Sequence, residues 1–393
     1  MRRRQMKLML AALLLLTGCK GFWTPPASSS GSGSTTASSG NIYVLNVATN
    51  QVAGYNVNAG TLTALPGSPY TVPTTPLAIA IAPNGGFLYV STSEGIYLYS
   101  VSSTGQISLA NASAPISADQ AISMQVSPDN SWLLEVASGA NYVYAISINS
   151  TSGVLNSRTE QYAILPASSV QQVAIAADAT YVFVAMGSEG TAAVPFNSAN
   201  TNPLGAVRRI ATANSAGAAL SVAVDPVISG QTAPRLFYIG ETAGVSGSNS
   251  GALRAFEFGT LNSGTLTEIS GSPFASQGLA PYWILPLASG SYVYTVNRQV
   301  SGSSTGVIAG FTIGSTSTAY TLTALGSTFT TGTNPVALAE DSTGSFIFTV
   351  DFGGSPDLKG YTFDSTNAGY LDAAISADTG TDPVEASGIA AAP

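Results

Sequence analysis

Only 8% of this chain's 393 residues are Asp, Glu, Lys or Arg, and it has no histidine, so few side chains can do chemistry. Arg298, Glu241 and Asp351 form the candidate catalytic set. A carboxylate with a raised pKa can activate water on an acyl carbonyl while a guanidinium stabilises the developing oxyanion. Glu94, Glu189, Asn297, Tyr282 and Asp119 are candidate ligand contacts, joined on the same kinds of loop by Ser188, Gln120 and Asp382. Glu94, Glu241 and Asp351 are also alternative Ca²⁺ ligands, since that ion takes about 6–8 oxygens. No single loop carries the ligand spacing, so the Ca²⁺ alternative depends on convergence in space; otherwise no cofactor is expected. A third reading is a solvated rim with no chemistry. Triad catalysis lacks its histidine base, and the Gly/Ser-rich run Gly244 to Gly251 lacks the lysine of a phosphate loop.

These residues depend on a repeat of about 50 residues that recurs seven times. Each unit has a small-residue strand, a turn, a strand rich in Tyr, Phe and Val, then a third strand and a Thr-Gly-type hairpin. The second strands are expected at Ile42–Val47, Phe87–Thr92, Trp132–Ala137, Tyr181–Ala185, Leu236–Gly240, Tyr292–Val296 and Phe346–Val350. Six first strands precede them: Ala78–Ala82, Ile122–Val126, Val170–Ala176, Leu220–Val224, Trp283–Leu287 and Val336–Glu340. The seventh is expected at Val384–Ala391, because the chain opens on a second strand at Ile42.

Such a period is the signature of a propeller whose sheets cannot bury their faces alone. The expected fold is all-β: a seven-bladed β-propeller of four-stranded antiparallel blades, closed when the C-terminal strand pairs into the first blade. Closure removes a long open strand edge. Small residues on the first strands (Ala78, Ala80, Ala82; Ser221, Ala223; Ser387, Ala390) suit strands converging on an axis, and aromatic and β-branched second strands fill the space between sheets. The loops from second to third strands, and those entering each blade, then share the face around the channel mouth. That face carries Glu94, Glu189, Glu241, Asn297, Arg298 and Asp351, with Asp119, Tyr282 and Asp382. Arg254, Arg208, Arg209 and Arg235 fall outside it, and Trp132 and Trp283 are expected to pack, Trp283 also being an exposed aromatic candidate at the mouth.

Ahead of the ring, Arg2, Arg3, Arg4 and Lys7 precede an apolar run, Leu8–Leu16, and then Leu16-Thr17-Gly18-Cys19. Cys19 is the chain's single cysteine. The pattern resembles a bacterial lipoprotein signal, with residues 1–18 as the leader and Cys19 lipidated. Residues 19–40 read as a lipidated Cys and flexible Ser/Gly/Thr/Pro tether, and 41–393 as the propeller. The expected address is the cell envelope, anchored to a membrane through Cys19, and the outer membrane where there is one because Lys20, not Asp, follows. Losing the leader leaves 8 basic against 20 acidic residues, a net charge of −12. Nucleic-acid binding through phosphates is excluded on that balance. A monomeric ring is expected.

The second strands, with Tyr89-Val90-Ser91-Thr92, Tyr294-Thr295-Val296-Asn297 and Phe348-Thr349-Val350-Asp351, resemble the Tyr-Val-Thr-Asn propeller repeat. The hairpin and exit Gly60-Thr61-Leu62-Thr63 and Gly67-Ser68-Pro69-Tyr70 return as Gly264-Thr265-Leu266-Thr267 and Gly271-Ser272-Pro273-Phe274. Over roughly residues 41 to 393 the chain is similar to seven-bladed lactonase-type propellers, the relatives of 6-phosphogluconolactonase. That resemblance implies a lactone hydrolase, without the histidine some relatives use. Two function classes stand: a lipid-anchored module binding a protein or glycan at the mouth, favoured by the missing histidine, and a lactonase-like hydrolase.

Overall fold

The computed structural model describes residues 40–58, 60–111, 114–156, 161–244, 250–263, 266–300, 303–316, 319–376 and 385–393. Strands and one short 3₁₀ turn, Phe258–Ser263, make up its regular structure. Alternation of apolar and small residues gives four antiparallel strands per blade, running outward from the axis. The second blade is typical: Pro76–Ile81, Phe87–Thr92, Gly95–Val101 and Ile107–Leu109 pair in that order. The third, fourth and fifth blades repeat it, starting at Ala121–Val126, Gln172–Ile175 and Ala219–Val224.

The sixth and seventh blades form one seven-stranded sheet. The 21-residue strand Tyr320–Glu340 is its bridge. Its first part pairs with Thr305–Ser315 as the outer strand of the sixth blade, and its last part pairs with Phe346–Gly353 as the inner strand of the seventh. The first blade is completed by Ala386–Ala391, which pairs antiparallel with Gly40–Asn46, Val44 opposite Ile389. Residues 377–384, where the expected strand was to begin, lie outside the described residues.

Seven apolar clusters fill the structure, one at each junction between neighbouring blades. The cluster of Ile42, Val44 and Tyr55 with Val336, Phe348 and Val350 joins the first blade to the seventh, so the series closes. Inner strands touch in the same cycle, Ala386–Ala391 lying against both Pro76–Ile81 and the end of Tyr320–Glu340. Burial of the interior faces supplies the main driving force, since apolar surface removed from water contributes about 25 cal/mol per Å².

The second-strand tyrosines tie blades together. Tyr43, Tyr89 and Tyr294 donate their hydroxyls to the carbonyls of Gly105, Gly153 and Gly369 at 2.7, 2.8 and 2.6 Å, each in the outer hairpin of the next blade. Those three glycines have φ of +80, +72 and +82°, a left-handed backbone that suits glycine. The Gly-Ser-Pro exits act alike: Ser68 Oγ accepts Gly54 N–H at 2.9 Å, and Ser272 Oγ accepts Ala255 N–H at 3.1 Å. On the opposite face the turn residues Asn84, Asp129, Asp178 and Asp341 accept backbone N–H groups of their own turns.

Candidate functional site

The seven inner strands converge on a pocket of about 250 Å³ to which every blade contributes at least one residue. Ser387 comes from the first blade, Leu77 from the second, Ile122 and Ser123 from the third, and Gln171 and Gln172 from the fourth. Leu220, the group Tyr282, Trp283 and Arg298, and Val336 with Phe352 complete it. Arg298 is the only charged residue among the described residues that line it. Arg298 follows the second strand Tyr292–Asn297, and its N–H donates to Ala280 O at 3.0 Å, which fixes the backbone beside Tyr282. The guanidinium carbon sits 3.2 Å from the Tyr282 ring centroid, a cation–π contact that sets its plane. Arg298 Nε is buried with no hydrogen-bond partner, and burial holds the guanidinium below its ordinary pKa.

The polar atoms around it are polarised by their neighbours. Ser123 Oγ accepts Val173 N–H at 3.1 Å, and Gln172 Oε1 accepts Val222 N–H at 2.9 Å. One lone pair of each oxygen is thus engaged by the next inner strand, while the hydroxyl proton and the amide NH₂ can donate. Ser387 Oγ is buried with no partner. None of the described lining residues is a carboxylate or histidine.

Arg298 and Tyr282 come together as expected. Glu241 and Asp351 do not join them in the pocket. Glu241 ends a second strand, as Asn297 does, and Asp351 lies two residues before the end of Phe346–Gly353; all three are buried at one repeat position. Each holds the segment entering its own blade: Glu241 Oε2 accepts Ala213 N–H at 2.9 Å, Asp351 Oδ2 accepts Gly332 N–H at 2.9 Å, and Asn297 Nδ2 donates to Ser276 O at 2.8 Å. The other Glu241 oxygen meets Arg254 Nη1 at 3.0 Å, and Arg254 also meets Glu268 at 2.7 Å. Burial pushes Glu241 above its ordinary pKa, against the pull of Ala213 N–H and Arg254. Burial also pushes Asp351 up to about 7, with Gly332 N–H and Lys359 opposing and Asp357 adding. Sequence spacing placed these carboxylates at the right end of the blades but could not say whether they turned to the axis or to the linker.

The remaining candidates are spread around the rim. Glu94 is exposed, its N–H donating to Thr92 Oγ1 at 3.1 Å. Glu189 pairs with Arg209 at 3.0 Å, so Arg209 does reach the face from which the sequence excluded it. Asp119 is buried and accepts the Ser117 hydroxyl, while Gln120 Nε2 donates to Ser93 O at 2.7 Å. Glu94, Glu241 and Asp351 stand on three different blades, and among the described residues no group of three or more acidic, His or Cys side chains is placed to hold a metal ion. Cys19 and Asp382 lie outside the described residues. Ser123, Gln171, Gln172, Ser387 and Phe352 were missed as site residues; the signal of the first four is a polar side chain on or beside an otherwise small or apolar inner strand, and Phe352 lies near the end of a second strand with no such mark.

This geometry defines a closed seven-bladed β-propeller with one axial pocket. Residues 33–198 match the family model "Lactonase, 7-bladed beta-propeller". Among solved structures, a Bacteroides fragilis protein that carries a 6-phosphogluconolactonase assignment is similar at 15% identity and a TM-score of 0.69, covering 92% of this chain and 100% of its own. The periplasmic gluconolactonase PpgL of Pseudomonas aeruginosa is similar at 15% identity and a TM-score of 0.65, covering 91% and 99%. A functionally unknown protein of Desulfotomaculum acetoxidans is similar at 12% identity and a TM-score of 0.62, covering 90% and 99%. A search of curated proteins finds no match. These likenesses show the β-propeller fold of the chain.

Proposed function

We propose that this protein is an envelope-anchored propeller that binds a carbohydrate ligand in its axial pocket. One observation carries the reading: all seven blades aim side chains at a pocket whose described lining holds a guanidinium, aromatic faces and hydrogen-bond donors, and no carboxylate or imidazole. A volume of about 250 Å³ suits one sugar unit, being below the roughly 300–1,000 Å³ of pockets for drug-sized ligands. The ring stands off the membrane on residues 19–40, with Cys19 carrying the lipid. A Cys19→Ser variant is expected to move from the membrane to the soluble fraction; unchanged membrane retention contradicts the anchor.

The second reading, lactone hydrolysis, is favoured by the matching family model and by the names of the similar gluconolactonase structures. In it, water adds to the lactone carbonyl, Arg298 stabilises the oxyanion, and a base must take the proton from water. Among the described residues the pocket lining offers no carboxylate or imidazole for that proton. The deciding experiment incubates purified full-length protein with a panel of sugar lactones, with Ca²⁺ and with chelator, and follows both binding and ring opening. Binding without turnover above the spontaneous rate is expected. Turnover lost in a folded Arg298→Ala variant would make the protein a hydrolase.

A further inference from the structure

The pocket's polar groups select charge as well as shape. Arg298 Nε and Ser387 Oγ are buried and have no partner, and Ser123 and Gln172 have their acceptor atoms engaged by Val173 and Val222 N–H. A buried donor left unpaired costs about 1–3 kcal/mol, more when it is charged, so a ligand that satisfies these donors gains what an apolar or donor-rich one cannot. Among the described residues no carboxylate lines the pocket to neutralise Arg298. Trp283, half-buried, and Phe352, 37% exposed, add flat apolar surface on the sixth and seventh blades. Aromatic surface of that kind takes the apolar C–H face of a sugar ring, while the donors need oxygen acceptors.

Building on the carbohydrate-binding reading above, we propose that the ligand is a hexuronate, a pyranose ring bearing a carboxylate. Its carboxylate pairs with Arg298, its ring and hydroxyl oxygens accept from Ser387, Ser123 and Gln172, and its C–H face lies on Trp283 and Phe352. Arginine rather than lysine fits this task because the planar guanidinium can meet a carboxylate with two parallel N–H donors. A carboxylated ring can arrive as a free sugar or as the end of an acidic polysaccharide. Both present the same chemistry to the pocket.

Calorimetry on the full-length protein in detergent tests this with methyl glucuronide, methyl glucoside, gluconate, galacturonate and a short oligogalacturonate. Methyl glucuronide is expected to bind about tenfold or more tightly than methyl glucoside, the difference that one charge-assisted hydrogen bond brings. Gluconate, with the charge but no ring, is expected to bind more weakly than the glucuronide. Preference for the oligogalacturonate over free galacturonate points to a polysaccharide end; equal affinity points to the free sugar; either keeps the assignment. The charge preference is expected to vanish in Arg298→Ala and to shrink in Arg298→Lys, which keeps the charge and loses the planar fork, with circular dichroism melts confirming that both stay folded. Equal affinity for glucoside and glucuronide in the parent overturns the hexuronate while leaving the carbohydrate pocket, which Trp283→Ala would then still abolish. A charge preference that survives in a folded Arg298→Ala also overturns the hexuronate assignment. No binding of any ring sugar overturns both.

Discussion

At the scale of single residues, the ion pairs and carboxylates of this chain divide by what they touch. Arg298 is the pocket's charged group and its Nε has no partner, whereas Arg254 is held between Glu241 and Glu268 and braces a linker. Breaking a buried pair of the second kind by removing one partner typically costs about 3–5 kcal/mol, so those residues serve the fold. Asp351 belongs with them. Its carboxyl is pushed up to about 7 in the folded chain, against about 3.9 when unfolded. Between those two values the folded state holds a proton that the unfolded state has released, so Asp351 makes stability fall as pH rises from about 4 to about 7. Above that window the buried charge carries its full cost. Asp351→Asn keeps the acceptor for Gly332 N–H and removes the titration. Denaturant melts are expected to show equal stability near pH 4 and a more stable variant, by a few kcal/mol at most, near pH 8. Parallel pH profiles for parent and variant would contradict this.

At the scale of the strand and hairpin, the repeat is what the sequence displays, because each element obeys a local rule. Phe87–Thr92, Trp132–Ala137 and Tyr181–Ala185 fall where alternation puts them, and the other second strands differ only at their ends. The Tyr-Val pattern has a physical cause: Tyr43, Tyr89 and Tyr294 reach across to a left-handed glycine of the next blade. Tyr89→Phe leaves the buried Gly153 carbonyl without that donor and is expected to cost about 1–3 kcal/mol in chemical unfolding. No loss would mean the bond is not a brace. What the sequence could not display is orientation at strand ends. Glu241, Asn297 and Asp351 occupy one repeat position and all turn to the incoming linker, where a backbone group waits for them. The polar inner-strand residues Ser123 and Gln172 were not legible as site residues, because their donors matter only once seven strands meet.

At the scale of the whole molecule, closure creates the site. The C-terminal strand Ala386–Ala391 completes the first blade and brings Ser387 to the pocket; with it, residues more than 300 positions apart line one cavity. Contacts of that separation leave no local trace in a sequence, so the ring could be foreseen from its missing strand while the pocket's lining could not. The fold resembles gluconolactonases at 15% identity, and at that distance the likeness carries architecture alone. Function rests on what the axis presents: donors, aromatic faces and one guanidinium. Trp283 reports on that axis directly. In a full-length protein with Trp23→Phe and Trp132→Phe, it is the remaining tryptophan. Titration with methyl glucuronide is expected to change its emission along a saturable curve that coincides with calorimetric binding, and to need about tenfold or more ligand in the same protein carrying Arg298→Ala. Calorimetric binding of the glucuronide with no change in Trp283 emission would place the ligand elsewhere and contradict the account.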